Sequence, residues 1–355
     1  MLLVTGTLYG VPILIKDQIE TEGLATAFGS MVCKSYIPDR DATLVTRLKE
    51  AGAVILGKTT MPDWAASWFS TSSLSNVTKN PYDPSRDPGG SSSGSGAAVA
   101  AGMAIAAIGG DTGGSIRLPS SFCGLIGVRV TPGRISRDGM SALVTPQDTP
   151  GPMARSVADA AKILDVLVGF DERDPYTSVN VISPIARSAT PYRDAVAQPD
   201  VQTKRFGILR QAFGSDPGVL NVLDTTLKRL EEAGANLVPV EIPDLDHYKT
   251  FTSAYVTRSK SDINAFLAER RELSHLKIEE LHASGHYHKA LDLIDAFVQG
   301  PDQFEDDPFF SKRLLEQSKF QRIVASIFAK HKLDAIIYPT CQLLPPETKD
   351  ILDGR

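Results

Sequence analysis

The sequence predicts an α/β fold built on a largely parallel or mixed sheet, and three observations predict it. Apolar runs bounded by glycine or proline alternate along the chain with amphipathic stretches of helical period. The length of 355 residues suffices for a sizeable core and, at roughly 150 residues per domain, gives a prior near two domains. A hydrophobic fraction of 42% against 22% charged residues is that of a globular chain.

The elements follow in order. GVPILIKD, from Gly10 to Asp17, is a continuous apolar run closed by charge, which suits a strand buried on both faces with Lys16 at its end. DATLVTRLKEA (41–51) carries apolar residues at helical spacing, with Asp41 as candidate N-cap and Gly52 just past the end, and AVILGK follows as a strand. Further along, SVADAAKILDVLVG reads as helix, RFGILR as strand, GVLNVLDTTLKRLEEAGA as helix, and NLVPVEIP and DAIIYP as strands. Residues 171–203, rich in Pro, Ser, Asp and Thr, read as a linker or long surface crossing. From about 245 to 332 the chain is charged, helical in pattern and holds all six histidines, and it reads as a mostly solvent-facing helical insertion.

Composition excludes several function classes. Lys and Arg number 37 against 42 Asp and Glu, a net charge of −5 with no long basic run, which disfavours a nucleic-acid or polybasic membrane-surface protein and favours a small-molecule partner. Cys33, Cys123 and Cys341 lie far apart with no C-x-x-C, so neither a disulfide framework nor a metal site is expected. The longest apolar low-charge run, Ala97 to Ile108, falls short of the roughly 20 residues that span a bilayer. MLLVTGTLYG lacks a basic leader and a cleavage site, so a cytoplasmic protein is expected.

The segment from Asp87 to Val128, DPGGSSSGSGAAVAAGMAIAAIGGDTGGSIRLPSSFCGLIGV, carries only Asp111 and Arg117 as charges after Gly90, so it must be buried or wrapped around something. A flexible linker does not run straight into an Ala-rich helix that needs a buried partner. A phosphate cradle would need this segment to end in G-K-[ST] or to carry G-x-G-x-x-G, and it does neither. Gly90–Gly94 formally satisfies G-x-S-x-G, but the elbow requires a preceding strand, and NPYDPSRDP is no central strand. It also requires a histidine base, and no histidine precedes His247.

A lysine held neutral by burial can activate a serine instead. Ser274 and Lys277 form an S-x-x-K in RRELSHLKIEE, which reads as a solvated helix face. Lys16 differs because it ends an apolar strand, although alone it reads as a snorkelling strand-end lysine. GGDTGGSIRLP (109–119) presents Ser115 after Gly113 and Gly114, where amides free of side chains can converge as an oxyanion hole requires; alone it reads as a Gly-rich turn. Trp64 and Trp68, in MPDWAASWFS, read as core aromatics ahead of a pocket wall.

Together, GVPILIKD, GGSSSGSGAAVAAG and GGDTGGSIRLPSSFCGLIGVRVTPGRIS closely resemble the amidase signature family of serine hydrolases. The resemblance covers about residues 8–170, with Ser91 following Lys16 by 75 residues and Ser115 following Ser91 by 24. It implies a central mixed or parallel twisted sheet covered by helices on both faces. It further implies a catalytic core over 1–175, a C-terminal part of the same domain over 176–355, and additional residues beyond both chain ends.

Residue by residue, the resemblance implies Ser115 as nucleophile, Ser91 as the middle serine on a cis peptide, and Lys16 as terminal base. The oxyanion hole would be the amides of Thr112, Gly113, Gly114 and Ser115, with Ser92 orienting the relay and Asp111 and Arg117 bracing the turns as a buried pair. No metal or organic cofactor is implied. The expected substrate is a small-molecule carboxamide or acyl or aryl amide, hydrolysed through an acyl-enzyme to the acid and ammonia or amine; a homodimer is left open. The alternatives are a catalytically impaired binding or scaffold relative and, less favoured, the glutaminase component of an amidotransferase.

Overall fold

The structure, a computed structural model, describes residues 6–183, 189–197 and 200–354. Its strands are β1 (Pro12–Lys16), β2 (Val54–Thr59), β3 (Thr71–Ser72), β4 (Asn76–Val77), β5 (Ala106–Asp111), β6 (Ile126–Gly127), β7 (Thr149–Ala154), β8 (Arg205–Ile208), β9 (Asn236–Pro239) and β10 (Ala335–Ile337). The N-terminal helices are α1 (Thr43–Glu50), α2 (Ser93–Ala100), α3 (Arg117–Phe122) and α4 (Val157–Leu167). They are followed by α5 (Val179–Ile182), α6 (Pro191–Ala197), α7 (Pro217–Glu232), α8 (Leu245–Phe251) and α9 (Tyr255–Ala268). The last are α10 (Ile278–Ala283), α11 (Ile294–Val298), α12 (Phe310–His331) and α13 (Thr348–Leu352).

The main sheet has the order β2-β1-β5-β7-β6. β1 runs parallel to both β2 and β5, whereas β7 is antiparallel to β5 and β6, so the sheet is mixed. Flanked on both edges and covered on both faces, β1 buries Ile13, Ile15 and Lys16 completely, which is why its sequence is an uninterrupted apolar run. RFGILR, NLVPVEIP and DAIIYP do form strands, but in a separate parallel sheet of order β10-β8-β9. That sheet closes over its own small core of Ile208, Phe213 and Leu227 and so does not extend the first.

Two local readings are corrected. Asp41 is not the N-cap of α1: Ala42 occupies that position, while the Asp41 carboxylate accepts from the Glu22 amide at 2.9 Å and pairs with Lys49 at 2.6 Å. The helical 255–298 half of the insertion is not solvent-facing. Ile263, Phe266, Leu267, Ile278, Leu281, Ile294 and Phe297 share one core with Phe28, Trp64 and Leu143 of the N-terminal half. Within the insertion, α12, which buries no residue, matches the expectation. The charges that suggested a solvated segment lie on the outer faces of helices whose apolar faces pack inward.

The small-residue segment is buried because helix and strands approach closely. α2 packs on β1, β2, β5 and β7, and a Cβ on Gly94 would stand 2.4 Å from the Thr60 amide nitrogen. The apolar run 97–108 divides, with α2 ending at Ala100 and β5 beginning at Ala106 beyond Gly102, whose φ of +76° reverses the chain. Among the described residues no helix is long and apolar enough to cross a membrane. Residues 1–5, on which the reading of the N-terminus rests, and 184–188 and 198–199 of the expected crossing lie outside the described residues.

Candidate active site

The parallel pairing of β1 with β5 sends the carboxyl ends of both strands to one edge of the sheet, where α/β folds gather their chemistry. Lys16 ends β1, and β5 ends at Asp111, so the loop carrying Thr112, Gly113, Gly114 and Ser115 leaves the sheet beside the lysine. α2 starts at Ser93, which places Ser91 and Ser92 at the same edge. Three segments distant in sequence therefore meet because of strand order and a single helix.

Lys16 Nζ donates to Ser91 Oγ at 2.8 Å and to the Gly110 carbonyl at 3.3 Å. Its ammonium form is disfavoured: burial brings the pKa from 10.5 down to about 7, against the opposing pull of Asp111 and Asp148. The Gly90–Ser91 peptide is cis, as the resemblance implied. Gly90 is held from behind, its amide donating to the Trp68 carbonyl at 2.7 Å.

Ser115 joins this pair through its main chain, its carbonyl accepting from the Ser92 amide at 3.1 Å; no hydrogen bond joins its hydroxyl to Ser91. The nucleophile candidate is 5% exposed and both serines before α2 are fully buried. The Ser92 hydroxyl spans the strand end, donating to the Gly110 carbonyl and accepting from the Gly110 amide, both at 3.2 Å. This fixes the turn and the carbonyl on which Lys16 rests. The amides of Thr112, Gly113, Gly114 and Ser115 donate to no acceptor among the described residues, which leaves four donors of one loop available beside a serine.

Asp111 organises that loop. One carboxylate oxygen accepts from the Ile116 amide at 3.0 Å and from Arg117 Nε at 3.1 Å, and the other from Arg117 at 3.1 Å and Arg129 Nε at 3.1 Å. Burial works to raise its pKa, but the hydrogen bond and charge of Arg117, with the Ile116 amide and Arg129, outweigh it and hold the carboxyl below its usual range. Asp111→Asn removes the buried charge that pairs two partly exposed guanidinium groups, and we expect it to lower unfolding free energy by about 2 kcal/mol, measured by urea denaturation. A change within about 0.5 kcal/mol would remove the bracing role.

Sequence reasoning paired Asp111 with Arg117 as a buried pair, but only the acid is buried, the Arg117 side chain being 37% exposed, and it missed Arg129, which enters from 18 residues away. It also missed Asp148, fully buried, which accepts from the Thr112 hydroxyl and from the Leu143 and Val144 amides at 2.8 and 3.0 Å. Its only sequence signal is a lone acid in the Pro-rich VTPQDTPGP. A cavity of about 390 Å³ lies beyond Asp148 and touches the site through that residue alone. Of the two tryptophans, Trp64 is core, stacked on Phe28 at 5.3 Å, as expected. Trp68 instead lies half-buried against the loop, where a Cβ on Gly114 would stand 2.8 Å from its ring. Ser274 and Lys277 are not buried, in keeping with a solvated face.

Comparison with known proteins gives consistent similarities. The profile of the family described as Amidase matches residues 3–353. The chain is 41% identical over 267 residues to the A-subunit of a glutamyl-tRNA(Gln) amidotransferase of Desulfatibacillum aliphaticivorans, covering 74% of this chain and 53% of that protein. It thus spans about half the length of the curated relatives it matches. The native peptide amidase of Stenotrophomonas maltophilia superposes with a TM-score of 0.82 at 31% identity, over 99% of this chain and 75% of that one. The corresponding glutamyl-tRNA(Gln) amidotransferase chain of Thermotoga maritima superposes with a TM-score of 0.76 at 30% identity, over 96% and 70%.

Proposed function

The chain belongs to the amidase family, and on that premise we propose that it hydrolyses a carboxamide or small acyl or aryl amide to the carboxylic acid and ammonia or amine. The observation that carries this reading is the fully buried Lys16, brought to a pKa of about 7 by burial and held 2.8 Å from the hydroxyl of Ser91. A lysine in that state is neutral often enough at pH 7 to accept a proton, which a solvated lysine is not.

In this reading Ser115 Oγ bonds to the amide carbon while its proton passes to Ser91, whose own proton passes to Lys16. The carbonyl electrons move onto oxygen, received by the amides of residues 112–115; such a donor typically contributes about 3–4 kcal/mol to lowering the barrier. Collapse breaks the C–N bond, and the nitrogen leaves with the proton returned through Ser91. Water then attacks the acyl-enzyme, giving its proton to the same relay, and the acid departs as Ser115 is restored. Every step uses groups of this chain and calls for no metal or organic cofactor.

The similarity to amidotransferase chains supports a second reading, in which the same half-reaction acts on glutamine and the ammonia serves a partner protein. The test begins with fluorophosphonate treatment followed by intact-mass and peptide mass spectrometry. We expect a single adduct on Ser115. Folded protein that takes up no adduct would instead make this a binding relative without hydrolase chemistry. Ammonia release from simple amides by the isolated chain favours the first reading, and release from glutamine alone favours the second.

A further inference from the structure

We propose that Tyr255, carried to the site by the helical insertion, is the specificity-determining residue, its ring forming with Trp68 an aromatic wall that receives a flat, uncharged aromatic acyl group. The inference rests on the assignment of Ser115 as nucleophile and extends it to the substrate class.

The position of the ring supports this first. A Cβ on Gly113 would stand 2.5 Å from Tyr255 Oη and 3.2 Å from two of its ring carbons, so the phenol lies directly on the loop two residues before Ser115. Trp68 lies on Gly114 in the same way, and the two rings are 6.3 Å apart at 52°. Behind Tyr255 the fully buried Phe297 stacks at 5.9 Å and 18°, fixing the ring from the core side. Tyr255 and Trp68 both keep part of their surface open, as a wall facing a ligand would and a core pair would not. Both also explain why residues 113 and 114 carry no side chain.

Charge points the same way. The ionic groups around the loop have partners: Arg117 and Arg129 pair with Asp111, and Asp148 is held by Thr112 and two amides. Asp292 accepts from the Trp68 amide at 3.2 Å and so steadies the wall. A free carboxylate placed here would have to compete with Asp111 for the two guanidinium groups, whereas an aryl group asks for no ion pair. The Tyr255 hydroxyl has no hydrogen-bond partner among the described residues, and burial raises its pKa far above neutrality, so it remains a phenol. Aromatic faces set at an angle receive a third ring by edge or offset stacking.

The experiment compares benzamide with acetamide in the wild type, Tyr255→Leu and Tyr255→Phe, with fluorophosphonate labelling of Ser115 followed in each. We expect Tyr255→Leu to lower kcat/KM for benzamide by about 10- to 100-fold while acetamide stays within about threefold, the span that one pocket contact commands. Tyr255→Phe keeps the ring and should hold benzamide within about threefold. Equal losses on both amides, or wild-type preference for acetamide or glutamine, overturn the wall while labelling leaves the hydrolase assignment standing. Should the folded wild type neither label nor turn over, the hydrolase assignment falls and benzamide binding by calorimetry decides the wall. Binding weakened about tenfold or more by Tyr255→Leu upholds it, and equal or absent binding overturns it.

Discussion

Ser115→Ala is expected to abolish fluorophosphonate labelling and to lower kcat by at least about 10⁴-fold while the protein stays folded, because in the proposed mechanism Ser115 is the nucleophile, and removing the nucleophile of a relay disables it as a unit. The fold should not notice the change. What ties Ser115 to its surroundings is main chain, the carbonyl accepting from the Ser92 amide at 3.1 Å, and alanine keeps that bond. Loss of one hydroxyl at a site 5% exposed should alter stability by no more than about 1 kcal/mol. Amide turnover, intact mass and a denaturant melt on the same preparation check all three parts. Activity retained at a tenth of wild type or more would mean that the nucleophile lies elsewhere.

Lys16→Met is expected to lower kcat/KM by about 10³-fold and yet to leave the protein at least as stable as wild type near neutral pH. The wild-type rate should rise with pH through an inflection near 7, where Lys16 loses its proton, falling about tenfold per unit below it. The groups facing Lys16 are Asp111 and Asp148, whose charges support the ammonium form but do not overcome burial. Stability should rise with pH as well. In the unfolded chain the lysine holds its proton up to about pH 10.5, whereas in the fold it releases it near 7. Between those values the unfolded state binds more protons, so the fold gains stability with each unit of pH, and the full penalty is present below 7.

At pH 7 that penalty is on the order of 4 kcal/mol, partly offset by the hydrogen bonds to Ser91 and Gly110. Methionine fills the same buried space without a charge to strip, at the loss of those two bonds. The stability gap between wild type and variant should therefore close or reverse as the pH rises from 7 toward 10.5. A gap independent of pH would mean that Lys16 is not neutral in the fold, and with that the base would be lost. A functional residue that destabilises its own fold is what a catalytic role leads one to expect.

Much of the site was legible in the amino-acid sequence, for identifiable reasons. Lys16 stood out because a charge at the end of PILIK contradicts the burial that the strand's pattern demands, and the structure buries it fully. Asp111 and Arg117 stood out as the charges of a segment otherwise made of small residues, and they are paired. Residues whose local sequence is unexceptional stayed hidden. Arg129 and Asp148 carry ordinary charges near prolines, and only the folded loop shows that one takes a second side of Asp111 and the other holds Thr112.

The helical insertion marks the boundary most clearly. Its charge density made it look solvated, since composition is averaged over both faces of a helix, whereas packing depends on one. Ile263, Phe297 and their neighbours seal it onto the N-terminal half, and that contact delivers Tyr255 to Gly113 across more than a hundred residues of chain. The sequence by itself determined β1, β2 and β8 to β10 with the helices α1, α4 and α7, because each is written in the period and character of neighbouring residues, and it marked Lys16 and the two serine-bearing turns through the family resemblance. Only the tertiary structure decided which ring stands over the loop of residues 112–115, which carboxylates brace it and how far the lysine's proton affinity falls. Those depend on distances between segments that local pattern does not encode, and on the removal of water by elements that close over them from elsewhere in the chain.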